Sequence, residues 1–231
     1  IFSGLMSMNP LGVFSSTREA IDSGRYRGGP VVVDGALGEP AALLTAVEAE
    51  RFKPVEIQWR RIGGELFAVL LDGQGETRIV SGSNGHLQVA RLLPAGWLQQ
   101  KVRALSDAPM QGYWVQHAAD AYFYPRAPEA MNGAAVRRFP VAVVDFGDAE
   151  ATRVYLDLAT GDPLLTMGYR ERVGRWLFYF LHSWDLPAML RFDTARLAVL
   201  LLLSVAGTAL CATATVIGYR RLRMKLRRRR R

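Results

Sequence analysis

The side chains best suited to chemistry in this sequence are its three histidines. Imidazole can ligate metals and transfer protons near neutral pH. His86 follows an Asn-Gly turn signal and is interpreted as a solvated surface residue, and His117 sits between two aromatic stretches and is interpreted as a turn residue. His182 differs because it lies in the aromatic segment 175–187, just before a long apolar run. From its neighbours alone, His182 fits a structural histidine that is hydrogen-bonded to Asp185, three positions later.

A second candidate is a stripe of polar and aromatic side chains at Asp120, Tyr122, Tyr124 and Arg126. Their spacing of two residues places them on one face of a predicted strand, Ala121–Tyr124. Such a stripe either binds a ligand or packs on the sheet with its hydroxyls in water. The spacing is compatible with both interpretations.

Other catalytic signatures are missing from the sequence. It contains no G-x-S-x-G, no H-E-x-x-H and no phosphate-binding loop motif, so nothing in it indicates a hydrolase or a nucleotide-binding enzyme. Its single cysteine, Cys211, allows neither an intrachain disulfide nor a cysteine-based zinc site. Whether the chain is an enzyme stays open at this point.

These candidates belong to a chain that ends in a membrane segment. Residues 197–219 carry no charge and are numerous enough for a helix across roughly 30 Å of hydrocarbon. The following tail, residues 220–231, is dominated by Arg and Lys, which is typical of the cytoplasmic end of a span. We therefore predict that residues 10–192 lie on the far side of the membrane. Residues 1–9 are apolar and predict the outer end of a preceding transmembrane helix, so the chain resembles a fragment of a longer protein.

The charge is concentrated in that tail. The chain has 29 basic and 21 acidic residues and a net charge of +8, but nine of the basic residues lie in the tail. The remainder is nearly neutral, which argues against a nucleic-acid partner, because such a partner needs cations spread over a folded surface. Anionic lipid headgroups are the expected partner of the tail.

Apolar and turn patterns predict an α+β region between the membrane segments. Helical spacing predicts helices over residues 39–52 and 94–106. Alternating patterns predict strands at Val31–Val33, Val55–Arg61, Leu66–Leu71, Thr77–Val80, Gly112–Gln116, Phe139–Asp145, Thr152–Asp157 and Pro163–Met167. Residues 67–85 and 139–161 share one order of aromatic residue, strand, Asp, turn and strand, which indicates either a duplicated unit or a coincidental similarity of two hairpins.

Three segments occur in a characteristic order. Residues 3–14 read SGLMSMNPLGVF. Residues 120–164 contain D-x-Y-x-Y, a Pro-Val strand and Y-x-D-x-x-T-G, and residues 175–187 read RWLFYFLHSWDLP. Together these segments resemble the PepSY-associated transmembrane family: its exit from a membrane helix, its second periplasmic unit and the segment before its last membrane helix. The resemblance covers most of the chain.

The resemblance implies a division of the chain into seven parts, with two PepSY-like units of helix plus antiparallel sheet. The predicted parts are the end of a transmembrane helix (1–9), a linker (10–37), the first unit (38–92), the second unit (93–168), an aromatic interfacial helix (169–192), a transmembrane helix (193–219) and a basic cytoplasmic tail (220–231). The family implies the inner membrane of a bacterium, with residues 10–192 in the periplasm.

The resemblance also implies a function. Some relatives bind b-type haem between membrane helices and pass electrons across the membrane, for example to ferric siderophores. By this likeness His182 would ligate haem iron, Asp185 would orient its imidazole and Arg175 would bind a propionate. The alternative is a non-catalytic periplasmic module that binds a peptide or envelope protein or inhibits it, and a third option is a structural anchor. The helices that would supply further histidines are not in this chain.

The membrane segments imply further contacts. Lipids are one expected partner, and another is a transmembrane helix of the missing N-terminal part or of a dimer mate, packed on the small-residue ridge of Gly207, Cys211 and Thr215. The predicted anchors at the membrane boundary are Trp176, Tyr179, Trp184, Arg220 and Arg221.

Overall fold

The computed structural model describes residue 12 and residues 21–33, 35–83, 86–128 and 133–229, without the side chains of residues 83, 182 and 226–229. The described chain has the predicted α+β class: two four-stranded antiparallel sheets, several short helices and one long C-terminal helix. Each sheet is a simple meander, in which strands that are neighbours in sequence are also neighbours in space.

The first half of the chain builds the first sheet and its helices. Its elements are α1 (Ser23–Arg27), a 3-10 turn (Gly35–Gly38), α2 (Pro40–Glu48), β1 (Pro54–Ile62), β2 (Glu65–Asp72), β3 (Thr77–Ser83) and β4 (His86–Ala90). Pro40 stands in the first turn of α2, where its missing N–H costs nothing. Leu43 and Val47, one helical turn apart, are fully buried against Ala68, Leu70 and Val80 of the sheet.

The second half repeats this order and continues towards the membrane. Its elements are α3 (Ala95–Lys101) with a 3-10 extension (Val102–Leu105), β5 (Met110–Gln116), β6 (Val141–Phe146), β7 (Arg153–Asp157), β8 (Pro163–Met167), α4 (Tyr169–Gly174), a π-helical turn (Arg175–Phe180), α5 (Leu181–Ser183), α6 (Pro187–Leu190) and α7 (Asp193–Arg229).

The helix α3 lies between the two sheets. Its Leu98 shares one buried cluster with Phe67 of β2 and Val144 of β6. The indole nitrogen of Trp97 donates to the Glu65 carboxylate at 3.2 Å, and the Tyr113 hydroxyl donates to the backbone oxygen of Ala95 at 2.8 Å. The layers therefore follow the order α2, first sheet, α3, second sheet.

The central strand β6 is buried on both of its faces. Successive side chains of a strand point to opposite faces, so Ala142 and Val144 enter the core with α3, whereas Val141 and Val143 pack on the outer side against Phe123. Residues from the connection between β5 and β6 thus cover the face of the second sheet that α3 does not cover.

The helix α1 belongs to this packed body, although it lies within the predicted linker. Tyr26 is 2% exposed, and its hydroxyl donates to the backbone oxygen of Gly161 at 2.8 Å. Gly28 ends the helix with a φ of +75°, and a Cβ there would overlap the backbone nitrogen of Gly64. The close approach of α1 to the β1–β2 turn therefore requires glycine at position 28.

Most of the predicted elements are present, with shifted ends. The two predicted helices are confirmed in α2 and in α3 with its 3-10 extension. The predicted strands that begin at Val55, Leu66, Thr77, Gly112, Phe139, Thr152 and Pro163 are confirmed in β1, β2, β3, β5, β6, β7 and β8. The strand predicted at Val31–Val33 is wrong, because these residues are exposed and unpaired with any sheet. The strand β4 was not predicted, and its first residue is His86, which is exposed as predicted.

The helix α7 is the one described helix that is long and apolar enough to cross a membrane, over Asp193–Lys225. No other described part of the chain covers it. Its 37 residues would extend about 55 Å at 1.5 Å per residue, which exceeds the roughly 30 Å of the hydrocarbon core. The basic residues at its end therefore continue the helix beyond the apolar segment.

Candidate functional site

A cleft of about 740 Å³ opens between the outer face of the second sheet and the helices that lead to α7. One wall is the segment with Tyr122, Tyr124 and Arg126, which Arg137 joins from further along the chain. Residues 165–167 of β8 and residues 171–179 of the helical segment provide the other sides. The cleft thus combines three of the four residues of the predicted polar stripe.

These residues reach the cleft from a turn rather than from a strand, so the predicted strand Ala121–Tyr124 is wrong. The Asp120 carboxylate accepts hydrogen bonds from the backbone nitrogens of Tyr122 at 2.8 Å and Phe123 at 2.5 Å. Its other oxygen accepts from the Tyr155 hydroxyl at 2.8 Å. An Asp that bonds backbone groups two and three positions ahead offers them an alternative to a sheet ladder.

The turn places the ring of Phe123 and those of its neighbours Tyr122 and Tyr124 in different environments. Phe123 is fully buried and stacks on the Tyr155 ring, with 4.9 Å between the centroids. Tyr122 and Tyr124, on either side of it, both line the cleft. Asp120 therefore does not line the cleft but fixes the turn that presents the two tyrosines.

A buried ion pair closes the inner end of the cleft. Arg175 is 4% and Asp185 is 8% exposed, and their side-chain nitrogen and oxygen lie 2.8 Å apart. The Tyr124 hydroxyl donates to the other oxygen of the Asp185 carboxylate. Arg175 also donates through Nε to the backbone oxygen of Ala121 at 2.9 Å, and its guanidinium lies over the Tyr124 ring, 5.0 Å from the centroid.

Burial first, and then the hydrogen bond to Asp185, raise the pKa of Tyr124 to about 12. The nearby charge of Arg175 acts in the opposite direction. Tyr124 therefore keeps its proton and remains a donor to the carboxylate throughout the physiological pH range. We call Tyr124, Arg175 and Asp185 the buried cluster.

The backbone after the π-helical turn brings Asp185 back to Arg175. Trp184 has φ 51° and ψ 43°, a left-handed conformation that is unusual for a residue with a Cβ. It ends α5, with its backbone nitrogen donating to the Phe180 oxygen at 2.8 Å. The chain then reverses, and Pro187 starts α6. Strain and π-helical turns are both common next to functional sites.

The same region is joined to the long helix. Arg196, in the first turns of α7, donates to the backbone oxygen of Ser183 at 2.8 Å and pairs with Asp193. The helical segment that lines the cleft and the start of the apolar helix are therefore joined by the hydrogen bond from Arg196 to Ser183.

Two further arginines of the cleft have no acidic partner in the described part of the chain. Arg126 and Arg137 take part in none of the ion pairs found there, and their Nε atoms are buried without an acceptor. Burial, and then the charge of Arg126, lower the pKa of Arg137. Glu171 is the one carboxylate among the described lining residues, and it accepts from the backbone nitrogen of Gly168 at 2.7 Å.

The three residues predicted to bind haem are Arg175, Asp185 and His182. Arg175 and Asp185 form an ion pair with each other. His182 lies in α5, but its side chain is outside the described residues. Among the described residues no group of three or more His, Cys, Asp or Glu side chains is arranged to hold a metal ion. The haem assignment stays a prediction.

The predicted membrane anchors are compatible with their role but stay predictions. Trp176 and Tyr179 are each 38% exposed. The Trp176 indole nitrogen donates to the Tyr122 hydroxyl at 3.0 Å. Arg220 and Arg221 are exposed on α7. Cys211 of the small-residue ridge is exposed too, and the Thr215 hydroxyl donates to its backbone oxygen at 2.9 Å.

Comparisons with known proteins add little to this geometry. No model of a protein family and no curated protein matches the chain significantly. A search of solved structures finds the YpmB protein from Bacillus subtilis, with 14% sequence identity, covering 56% of this chain and 98% of that one, at a TM-score of 0.21. A score this low carries no conclusion about fold or function. The resemblance to the PepSY-associated family therefore rests on the sequence motifs.

The substitution Asp185→Asn should destabilise the α+β region by about 3–5 kcal/mol, because it leaves the Arg175 guanidinium buried and unpaired. The measurement is thermal or urea denaturation of the detergent-purified protein, followed by tryptophan fluorescence. The matched control is Asp193→Asn, which breaks an exposed ion pair and should change the stability by less than about 1 kcal/mol. The double variant Arg175→Met with Asp185→Leu should recover much of the loss, since it removes both charges. Equal effects of the two single substitutions would contradict this assignment.

Proposed function

We propose that this chain is a membrane-anchored binding protein of the PepSY-associated type, in which α7 crosses the bacterial inner membrane and the α+β region lies in the periplasm. The cleft is its ligand-binding site. The observation that carries this proposal is the construction of the cleft: its walls come from the second sheet and from the segment that leads directly into α7. A ligand in the cleft would therefore be held close to the membrane surface.

The size and lining of the cleft support binding of a small or medium-sized ligand. Its volume of about 740 Å³ falls within the approximately 300–1,000 Å³ that is common for ligand pockets. Apolar surface from Leu165, Met167 and Phe178 alternates with hydroxyl and guanidinium groups. Ligand pockets combine such apolar walls with a few polar groups that fix the orientation of the ligand.

The lining favours binding over catalysis. A catalytic site needs a nucleophile or an acid–base pair within hydrogen-bonding reach. In the described lining, Tyr124 is committed to Asp185, and Glu171 caps the helix that starts after Gly168. Both groups are used to hold the walls in place, which supports a non-catalytic module.

The proposed orientation follows from the basic end of α7. A topology reporter fused after Arg231 should be active only in the cytoplasm, and one inserted at the exposed Gly133 only in the periplasm. The protein should also stay in the membrane pellet during alkaline carbonate extraction. The reverse reporter pattern would overturn the orientation, and release into the supernatant would overturn the anchoring.

Ligand binding in the cleft has a direct test. The full-length protein, purified from native membranes in mild detergent, should carry a non-covalently bound molecule that native mass spectrometry detects as a mass adduct. The substitution Met167→Trp places an indole in the cleft and should remove most of the adduct. Met224→Trp, the same change at an exposed position of α7, should retain it. Absence of any adduct, or an equal adduct in both variants, would show that the cleft is not a binding site.

The alternative function is a haem-bearing component of transmembrane electron transfer in iron or siderophore uptake. It depends on His182 as the ligand of the haem iron, with Asp185 and Arg175 as the predicted supporting residues. On this alternative, the reduced-minus-oxidised spectrum of the full-length membrane protein should show a b-type haem band. The band should disappear in His182→Ala and persist in His117→Ala, which changes an exposed loop residue. A spectrum without such a band would eliminate this alternative and leave the binding module.

A further inference from the structure

We infer that Arg126 and Arg137 form an anion subsite in the cleft, and that its ligand is the phosphate headgroup of an anionic membrane lipid. This inference rests on the proposed binding function and specifies its ligand. It starts from two guanidinium groups that line one cavity and share no carboxylate partner in the described regions of the chain.

The backbone holds the two arginines close together. Arg126 and Ala135 form an isolated antiparallel bridge, with N–H to oxygen distances of 2.9 and 3.1 Å. In such a pairing, the residue two positions after Ala135 lies opposite the residue two positions before Arg126. Arg137 is therefore beside Tyr124, and its pKa is lowered by the charge of Arg126 as well as by burial.

The Arg137 side chain is fixed before any ligand arrives. Its guanidinium lies over the Phe123 ring at 4.6 Å from the centroid, and it donates to the backbone oxygen of Leu164 at 3.4 Å. Phe123 is itself fully buried. A guanidinium that is held in this way loses little conformational freedom when it binds an anion, and its planar fork matches two phosphate oxygens.

The Nε–H groups of Arg126 and Arg137 are buried. Each N–H is removed from water without an acceptor in the described part of the structure. Such groups are destabilising unless a partner accepts their hydrogen bond. These Nε atoms have no exposed surface, so an anion in the cleft would bind the other guanidinium nitrogens of Arg126 and Arg137 and would reduce the repulsion between the two cations.

The rest of the cleft suits the apolar part of a lipid. Leu165, Met167 and Phe178 offer apolar surface next to the arginines. The Tyr122 hydroxyl accepts from Trp176, while its own proton has no acceptor in the described ranges and can be donated to a headgroup oxygen. The helical segment that lines the cleft ends at Ser183, whose backbone oxygen accepts a hydrogen bond from Arg196 of α7, so this segment leads into the start of the apolar helix.

The test measures lipid binding by the full-length protein in mild detergent. The probes are a short-chain phosphatidylglycerol, a phosphatidylcholine of the same chain length and inorganic phosphate. The double substitution Arg126→Gln with Arg137→Gln should weaken binding of phosphatidylglycerol by about tenfold or more. The control is Arg91→Gln with Arg103→Gln, which removes the same charge at two exposed sites outside the cleft and leaves the basic tail intact. It should change the affinity by less than about twofold.

Three outcomes would overturn the inference. The first is equal phosphatidylglycerol binding by the two double variants. The second is equal affinity for phosphatidylglycerol and phosphatidylcholine. The third is arginine-dependent binding of inorganic phosphate without binding of the lipid, which would assign the subsite to a soluble phosphate compound instead.

Two further variants keep the test decisive. Should the Gln variant fail to fold, the pair Arg126→Lys with Arg137→Lys keeps both charges and removes the bidentate fork, and it should still weaken lipid binding several-fold.

Glu129 lies outside the described residues and near both arginines in sequence, so Glu129→Gln should leave binding unchanged or tighter. Lipid binding that occurs only in Glu129→Gln would mean that Glu129 already neutralises the arginines, and the inference would fail.

The two proposals fail in different ways. A mass adduct that Met167→Trp removes, but that the arginine substitutions do not affect, would leave the binding function standing and refute the lipid headgroup. The loss of any ligand-dependent signal in the unmodified protein would refute the binding function itself.

Discussion

The buried ion pair between Arg175 and Asp185 is the constraint from which the geometry of the cleft follows. A guanidinium this far from water needs a carboxylate and further acceptors close by, because desolvation of each ion costs several kcal/mol. Asp185 meets this need only because Trp184 adopts a left-handed conformation and the chain reverses there. The acceptor at Ala121 and the donor at Tyr124 then fix the opposite wall. One pair of charges thus holds together segments that are about 60 residues apart in the sequence.

This cluster also connects the extramembrane body to the helix that follows it. Asp185 precedes α6, and Arg196 of α7 bonds back to Ser183, so the first turns of α7 and the inner end of the cleft share a short hydrogen-bonded path. A ligand that alters the position of Tyr124 or of the Arg175 segment would act directly on the base of α7. Domain boundaries normally fall in exposed linkers that few contacts cross, whereas here the start of α7 is hydrogen-bonded to Ser183, two residues before the ion-paired Asp185.

The sequence predicted the regular parts of the fold better than it predicted the site. Apolar runs or alternation between turn signals identified seven strands, although β2 and β6 are buried on both faces over most of their length and do not alternate. The same alternation failed at Ala121–Tyr124, where the side chain of Asp120 captures the backbone nitrogens that a strand would use. Arg175 and Asp185 were selected as site residues, but their mutual pairing depends on the chain reversal at Trp184. Arg137 was missed, because it reaches the cleft through the bridge between Arg126 and Ala135, and local sequence carries no signal for that pairing.

The two sheets explain why the cleft lies where it does. The repeated segments 67–85 and 139–161 occupy equivalent positions, since β2–β3 and β6–β7 are the central pairs of their sheets. In a stack of such units, each sheet would be covered by its own helix and by the helix of the next unit. The first sheet has both covers, α2 and α3, but the second sheet has no unit after it.

Its outer face is covered instead by described residues of the long connection between β5 and β6, among them Phe123 and Phe139. The corresponding connection of the first sheet, between β1 and β2, is only the Gly63–Gly64 turn. The long connection carries the Asp120 turn, two of the three tyrosines that line the cleft, and both Arg126 and Arg137. The segment that replaces a missing helix cover therefore also carries polar side chains of the cleft, and for this reason the cleft forms on the second sheet, near the start of α7.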